Sequence, residues 1–310
     1  MELRKVGNST LEVSVVGLGG NNFGGRLDLE ATRAVVHKAL DLGVTLIDTA
    51  ESYNSGASED LLGQVLGERR KQVVLATKFG WAADGSRALV GASRGSVMQS
   101  IDGSLRRLRT DWIDLYQLHR PDAATPIEET LRALDDLVRQ GKVRHIGCSN
   151  LTGAQIAEAQ RTAQWHGLAH FIAAQDQYSL LARGIERELI PAIAAHGMGL
   201  VPYFPLASGL LSGKFRRGAP LPPNTRMASA RYADRFVNER NWRLTEELEA
   251  FARGRGHTLL ELAFGWLIGK SAVASVIAGA STPEQVEQNV RAAAWKLSAE
   301  EMAEADRITG

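Results

Sequence analysis

Ile113-Asp114-Leu115-Tyr116-Gln117-Leu118, then Thr125-Pro126-Ile127-Glu128-Glu129 and a helical run to Arg139, then Val143-Arg144-His145-Ile146-Gly147-Cys148, read as strand, helix, strand. The flanking runs are short, apolar and rich in β-formers. The middle segment has Thr125 in the N-cap position and Pro126 at the first helical position. Glu128 and Glu129 fall in its first turn, where the helix dipole favours negative charge. Two strands joined in this way pair in parallel through a right-handed crossover.

The alternation runs the length of the chain. Further strand-like runs cover residues 15–18, 45–47, 73–77, 171–174, 199–203 and 273–277. Helical period marks residues 29–42 (closed by Gly43), 58–66 (Ser58 as N-cap), 93–108, 152–164, 184–196, 242–253 and 259–268. Eight strand–helix units in about 280 residues fit a closed barrel better than an open doubly wound sheet. The predicted fold is α/β, a (β/α)8 TIM barrel. A small N-terminal β-hairpin, residues 2–5 and 11–13 around Gly7-Asn8-Ser9, precedes it, and additional C-terminal helices complete it. No Pro/Ser-rich linker divides the chain, so residues 1–310 are expected to form a single domain. The longest irregular stretch, residues 208–238, is rich in Gly, Pro and Arg, and such loops are usually functional.

Composition narrows the function. The 310 residues are 44% hydrophobic, enough for a large core. Lys plus Arg number 36 against 35 Asp plus Glu, a balance that supplies no general field for nucleic acid or anionic membrane. The only cysteine is Cys148, which excludes an internal disulfide framework and multi-cysteine metal sites. The first residues lack the apolar stretch of a signal peptide, and no run of 18 apolar residues occurs. A soluble cytoplasmic protein is the expectation.

Several motifs fail on spacing or context. Gly17-Leu18-Gly19-Gly20-Asn21-Asn22 follows a strand, but Asn22 stands where a dinucleotide fingerprint needs glycine. Gly265 and Gly269 are too close for a P-loop before Lys270, and the segment reads as a helix end. Gly91-Ala92-Ser93-Arg94-Gly95 matches a nucleophile elbow in letters, yet only Ala88-Leu89-Val90 precedes it, so Ser93 reads as a helix N-cap. His166 and His170 lack a third ligand, and no metal is expected.

One constellation stands apart. The second strand ends Leu46-Ile47-Asp48-Thr49-Ala50, with Tyr53 close behind; the third ends Ala76-Thr77-Lys78; the fourth ends Gln117-Leu118-His119. In a parallel barrel these C-terminal strand ends form the rim that carries the active site. A tyrosine hydroxyl with an ordinary pKa near ~10 exchanges protons poorly at neutral pH. A neighbouring lysine favours its phenolate, and an aspartate holds that lysine charged. A histidine can hydrogen-bond a substrate oxygen. The set suits delivery of a proton to a carbonyl oxygen. None of the four side chains can deliver hydride, so a cofactor must.

Here the sequence resembles the aldo-keto reductases over nearly its whole length, in the branch that includes the β subunits of voltage-gated potassium channels. Asp48, Tyr53, Lys78 and His119 match that family's catalytic tetrad. Gly147-Cys148-Ser149-Asn150 and Gln175 match its nicotinamide-amide segment, and Tyr203 the stacking aromatic. The resemblance implies a pyrophosphate loop through Phe204, Pro205, Leu206, Ser208, Gly209, Leu210, Ser212 and Lys214. It also implies an adenosine end at Gly279, Ser281, Gln285, Gln288 and Asn289, with Gly20, Asn21 and Asp48 beside the cofactor. Lys214 with Arg216 and Arg217 forms a basic cluster, and Arg226 is a candidate for a 2′-phosphate. Asn22, Phe23 and Trp81 are candidate pocket walls around Tyr53 and His119.

The implied function is reversible, NADP(H)-dependent reduction of aldehydes or ketones, with NAD(H) as the alternative cofactor. A small carbonyl or alcohol is the partner. Three departures from the family pattern involve four residues. Phe204 replaces a common serine, Gln288 a common glutamate, and Gly279 and Gln285 a lysine and an arginine. Two rival functions are a slow NADP(H)-binding regulatory subunit and a Schiff-base lyase using Lys78.

Overall fold

The computed structural model describes residues 1–81, 91–223 and 225–310. The chain opens with an antiparallel hairpin, β1 (Leu3–Lys5) and β2 (Glu12–Ser14). Strand–helix units follow: β3 (Val16–Gly19), α1 (Leu29–Asp41), β4 (Leu46–Asp48), α2 (Ala57–Leu66), β5 (Val74–Phe79) and α3 (Arg94–Leu108). Next come β6 (Ile113–Leu118), α4 (Ile127–Arg139), β7 (Val143–Ser149), α5 (Gly153–His166), β8 (Phe171–Gln175), α6 (Leu189–Ala195) and β9 (Gly199–Leu200). The last part holds α7 (Ala230–Phe236), α8 (Glu239–Arg253), α9 (Leu259–Gly269), β10 (Val276–Ala278), α10 (Pro283–Ala292) and α11 (Ala299–Thr309).

Strands β3 to β10 pair in parallel in the order β10-β3-β4-β5-β6-β7-β8-β9. A parallel bridge between Leu200 and Val273 joins the two ends, so the sheet closes into the eight-stranded barrel. Alternate residues face opposite ways. Leu46, Ala76, Leu115, Ala173, Val201 and Ile277 pack together with Val6, Leu11 and Val13 of the hairpin segment. The hairpin thus caps the N-terminal end of the barrel. Ile47, Leu75, Tyr116, Ile146 and Leu200 point outward into the larger core shared with the helices. The rim at the C-terminal strand ends is left for chemistry. Among the described residues no helix is long and apolar enough to cross a membrane.

Several local details differ from the sequence expectation. Ser58 lies inside α2, whose cap position is Gly56 at φ +90°; Ser58 Oγ instead donates to the Gly20 carbonyl at 2.8 Å. Pro126, not Thr125, occupies the cap of α4, because Thr125 Oγ1 is committed to Asp122 at 2.7 Å. The helix expected over residues 184–196 splits into a single turn and α6. Pro191 lacks an N–H and belongs in a first helical turn, which sets the start of α6 at Leu189. Strand β9 stops at Leu200 because Pro202 cannot donate to a ladder. Residues 208–238 are less irregular than expected: short helical segments cover Ala207–Ser212, Arg226–Ala228 and α7. Ser93 does cap α3, accepting from the Ser96 amide at 3.4 Å. Ala88-Leu89-Val90 lies outside the described residues.

Helix α2 presses against the end of α3 at Gly63. A Cβ there would lie 2.2 Å from the Arg107 carbonyl oxygen and 2.8 Å from the Leu108 carbonyl carbon. Helix propensity favours Gly→Ala by about 1 kcal/mol, but overpacking against rigid backbone costs about 1–3 kcal/mol. Overpacking wins, so Gly63→Ala should lower the urea midpoint; an unchanged or raised midpoint would contradict this packing.

Candidate active site

Each strand end contributes to one cleft of about 630 Å³. Asp48 ends β4, Lys78 is the penultimate residue of β5, and His119 follows β6 directly. Ser149 ends β7 and Gln175 ends β8. Tyr53 comes from the loop after β4. That loop is pinned by Glu51 N–H donating to the Lys78 carbonyl at 3.2 Å and Tyr53 N–H to the Ala50 carbonyl at 3.0 Å. Its left-handed residues Asn54 and Ser55 complete the bend, and Asn54 Nδ2 ties it to the Phe23 carbonyl at 2.7 Å.

Lys78 is the centre of the arrangement. Its fully buried ammonium donates to Asp48 Oδ1 at 2.6 Å, to the Thr49 carbonyl at 2.9 Å and to the Tyr53 hydroxyl at 3.3 Å. The other Asp48 oxygen accepts from Gln175 Nε2 at 2.9 Å and Gln117 Nε2 at 3.4 Å. Burial pulls the Lys78 pKa down, but Asp48 and Tyr53 push it up more, and the ammonium is held above its ordinary value. Burial raises the Tyr53 hydroxyl above its ordinary value. Lys78 pulls that hydroxyl down and Asp48 pushes it up, and the net result is a protonated phenol at neutral pH. The lysine therefore opposes the rise without reversing it.

His119 is buried against Tyr53 and Trp81, with ring centroids 6.0 and 5.0 Å away, both edge-on. Burial, then the cations of Lys78 and Arg120, hold its pKa well below the ordinary histidine value. The imidazole is neutral. Ser52 Oγ lies 3.5 Å from its Nδ1.

The cleft extends from this centre in two directions. On one side Asn150 (φ +60°) receives the Tyr203 hydroxyl on Oδ1 at 2.8 Å and donates to the His119 carbonyl at 3.0 Å. Beyond Tyr203 the backbone at Phe204, Ala207 and Ser208 is also left-handed, a costly conformation for non-glycine residues that turns the chain tightly along the cleft. Pro205, Leu206, Ser208, Gly209, Ser212 and Lys214 line this part, and among the described residues the buried Ser208 Oγ has no hydrogen-bond partner. At the far end lie Gly279, Ser281, Gln285, Gln288 and Asn289. Gln285 Oε1 accepts from the Ser281 amide at 2.8 Å, and Asn22 Nδ2 reaches the Ala280 carbonyl at 3.2 Å. Arg226 crosses back to Asn22 Oδ1 at 2.9 Å.

Asn22 and Trp81 line the cleft as expected of wall residues, and Asn21, expected beside the cofactor, lines it as well. Besides the buried Lys78, three candidates do not. Phe23 is fully buried in the core beside Gly20, because its ring fills the space behind the loop it was expected to front. Leu210 is likewise a core side chain. Gly20 does not line the cleft; a Cβ there would meet Ser58 Oγ at 3.0 Å and the Asp48 carbonyl at 3.1 Å. The basic cluster also differs. Arg216 turns to Glu249, and Arg217 to Glu239 and Glu246, all on α8. The cations that do enter the cleft with Lys214 are Arg26, Arg226, Arg120 and Arg235. Burial, then Arg26 and Arg226, depress the Lys214 pKa, as expected when like charges converge.

The dismissed motifs have ordinary structural roles. His166 Nδ1 accepts from Arg132 at 3.1 Å, and α9 ends at Gly269. Cys148 is buried, and burial pushes its thiol pKa up, which leaves it unreactive.

A parallel eight-stranded barrel with a buried Lys–Asp pair, a tyrosine and a neutral histidine at its rim defines a recognisable class. The chain belongs to the aldo/keto reductase family, whose model matches residues 15–309. It is 36% identical over 300 residues to a probable voltage-gated potassium channel subunit beta of Arabidopsis thaliana, covering 94% of this chain and 91% of that one. It is 34% identical over 311 residues to the uncharacterized oxidoreductase YrpG of Bacillus subtilis, covering 97% and 93%. Among solved structures, aldo-keto reductase AKR11C1 from Bacillus halodurans, in its holo form, superposes with a TM-score of 0.83 at 32% identity, covering 100% of this chain and 97% of the other. The function is of the oxidoreductase type.

A neutral His119 has a direct signature. Its imidazole NMR shifts should stay flat from pH 8 to below the ordinary histidine midpoint of about 6.5. The unfolded chain binds that proton first, so His119 favours folding fully above that midpoint and loses this contribution as pH falls through it. A His119 titration near the ordinary midpoint would contradict the burial and charge assigned to it.

Proposed function

We propose that this chain is an NADP(H)-dependent reductase of aldehydes and ketones, acting reversibly, with the whole of residues 1–310 as one functional unit. The observation that carries this reading is Lys78 Nζ in contact with both Asp48 Oδ1 and the Tyr53 hydroxyl, across from a neutral His119. When bound, the nicotinamide cofactor supplies the hydride. Tyr53 gives its proton to the carbonyl oxygen. Lys78 stabilises the phenolate that remains, and Asp48 keeps Lys78 charged. His119, being neutral, orients the carbonyl without competing as a charged acid.

The residues along the cleft fit a dinucleotide. Ser149, Asn150, Gln175 and Tyr203 offer amide and ring contacts next to the catalytic centre. Ser208 supplies an unspent buried hydroxyl. Among the described residues no carboxylate pairs with Lys214 or Arg226, which suits an anionic phosphate. The adenosine end would lie at Ser281, Gln285, Gln288 and Asn289.

A second reading has one specific support. Relatives named as probable potassium channel β subunits suggest a regulatory protein that binds NADP(H) and turns over slowly. A Schiff-base role for Lys78 is disfavoured, because its ammonium is locked to Asp48 and held above its ordinary pKa.

Two measurements follow. Titration of tryptophan fluorescence should show saturable binding with NADPH tighter than NADH by about tenfold or more, the scale of one charged hydrogen bond; equal affinities would remove the phosphate role of Lys214 and Arg226. Tyr53→Phe should lose at least about a hundredfold in kcat while its NADPH affinity changes little. A variant with wild-type turnover would overturn the assignment, and a wild type that binds but barely turns over any carbonyl would favour the regulatory reading.

A further inference from the structure

The cleft is far more basic than the protein. Among the described residues Arg26, Arg120, Lys214, Arg226 and Arg235 line it, against the single carboxylate of Asp48, which Lys78 already holds. The overall formal charge is only +1. A cofactor phosphate accounts for Lys214 and Arg226, which lie with Arg26 along the loop end of the cleft. It does not account for Arg120 and Arg235, which stand at the catalytic end.

Arg120 lays its guanidinium 4.6 Å over the Trp81 ring, and that ring meets His119 edge-on at 5.0 Å. Arg235 sits 5.3 Å over Phe204, whose ring meets Tyr203 edge-on at 5.4 Å, and it donates to the neutral Gln177. Both arginines act on the Tyr203 hydroxyl, pulling its pKa down against burial. Elsewhere arginines of this chain are spent on carboxylates, as Arg70 on Asp114 and Arg107 on Glu59. Among the described residues neither Arg120 nor Arg235 has such a partner. Each is exposed to solvent on its outer side and steadied by an aromatic ring, with donors left over for an anion.

Resting on the reductase reading, we propose that Arg120 and Arg235 select substrates in which the reactive carbonyl is accompanied by an anionic group, a carboxylate or a phosphate ester. The carbonyl would lie at Tyr53 and His119, and the anion would face the two guanidinium groups. The carbonyl carbon takes two electrons as hydride from NADPH, and its oxygen takes the Tyr53 proton. NADP⁺ leaves, and the anionic group is unchanged. Arg120 and Arg235 are specificity residues and take no part in the proton transfer.

The test compares kcat/KM for 4-formylbenzoate with that for 4-formylbenzamide, a neutral molecule of the same shape. 4-Formylphenyl phosphate serves as a third arm that separates carboxylate from phosphate recognition. The wild type should prefer an anionic aldehyde over the amide by about tenfold or more, mostly through KM, and less so at high salt. In Arg120→Gln and in Arg235→Gln the anion-to-amide ratio should fall at least about fivefold, consistent with loss of a charged hydrogen bond. Fluorescence titration with NADPH checks that each variant is folded. A wild type indifferent to charge, or variants that keep the wild-type ratio, would overturn this inference alone. No turnover of any of the three aldehydes would overturn the reductase reading and this inference together.

Discussion

The buried ion pair between Lys78 and Asp48 is the constraint on which the site depends. Taking both charges out of water is expensive, and removing either partner would leave an uncompensated charge in the interior. The pair stands because its remaining hydrogen-bonding capacity is met. Lys78 also donates to the Thr49 carbonyl, and the second Asp48 oxygen is covered by two glutamine amides. A pair of apolar side chains would serve stability as well, so the arrangement is better explained by its neighbours. The same cation contacts the Tyr53 hydroxyl and helps hold His119 neutral. One buried charge thus acts on both groups in opposite relation to burial: it opposes the burial that raises the Tyr53 hydroxyl and adds to the burial that keeps His119 neutral.

The rest of the rim is shaped around that centre by strained backbone and aromatic surface. Asn150, Phe204, Ala207 and Ser208 all take the left-handed conformation, and all lie beside the cleft. Phe204 packs edge-on against Tyr203, Tyr232 and Phe236, with the guanidinium groups of Arg226 and Arg235 above it. Phe204, which stands where similar sequences commonly have serine, is therefore the platform on which two cleft cations rest.

The barrel and the gathering of the candidate site residues at one rim were legible because both follow from local rules. Short apolar runs alternating with helical segments imply parallel pairing, and parallel pairing gathers the strand ends Asp48, Lys78, His119, Ser149 and Gln175 at one rim. What escaped depends on how loops fold. Arg216 and Arg217 follow Lys214 in sequence, but glutamates of α8 draw them away. Arg26 and Arg120 come from two separate loops and Arg235 from α7, and they carry no sequence signal for a common site. Phe23 is an apolar loop residue that could have faced either way, and the core took it. Ser58 looked like a helix cap until Gly20 came within reach of its hydroxyl.

The most direct test of the central claim is the kcat of Lys78→Met for carbonyl reduction at neutral pH, on protein shown to saturate with NADPH. The account predicts a fall of at least about a hundredfold, because the Tyr53 phenolate left by proton transfer loses its stabilising charge. Turnover within a few-fold of wild type would contradict the claim that Lys78 controls the proton of Tyr53.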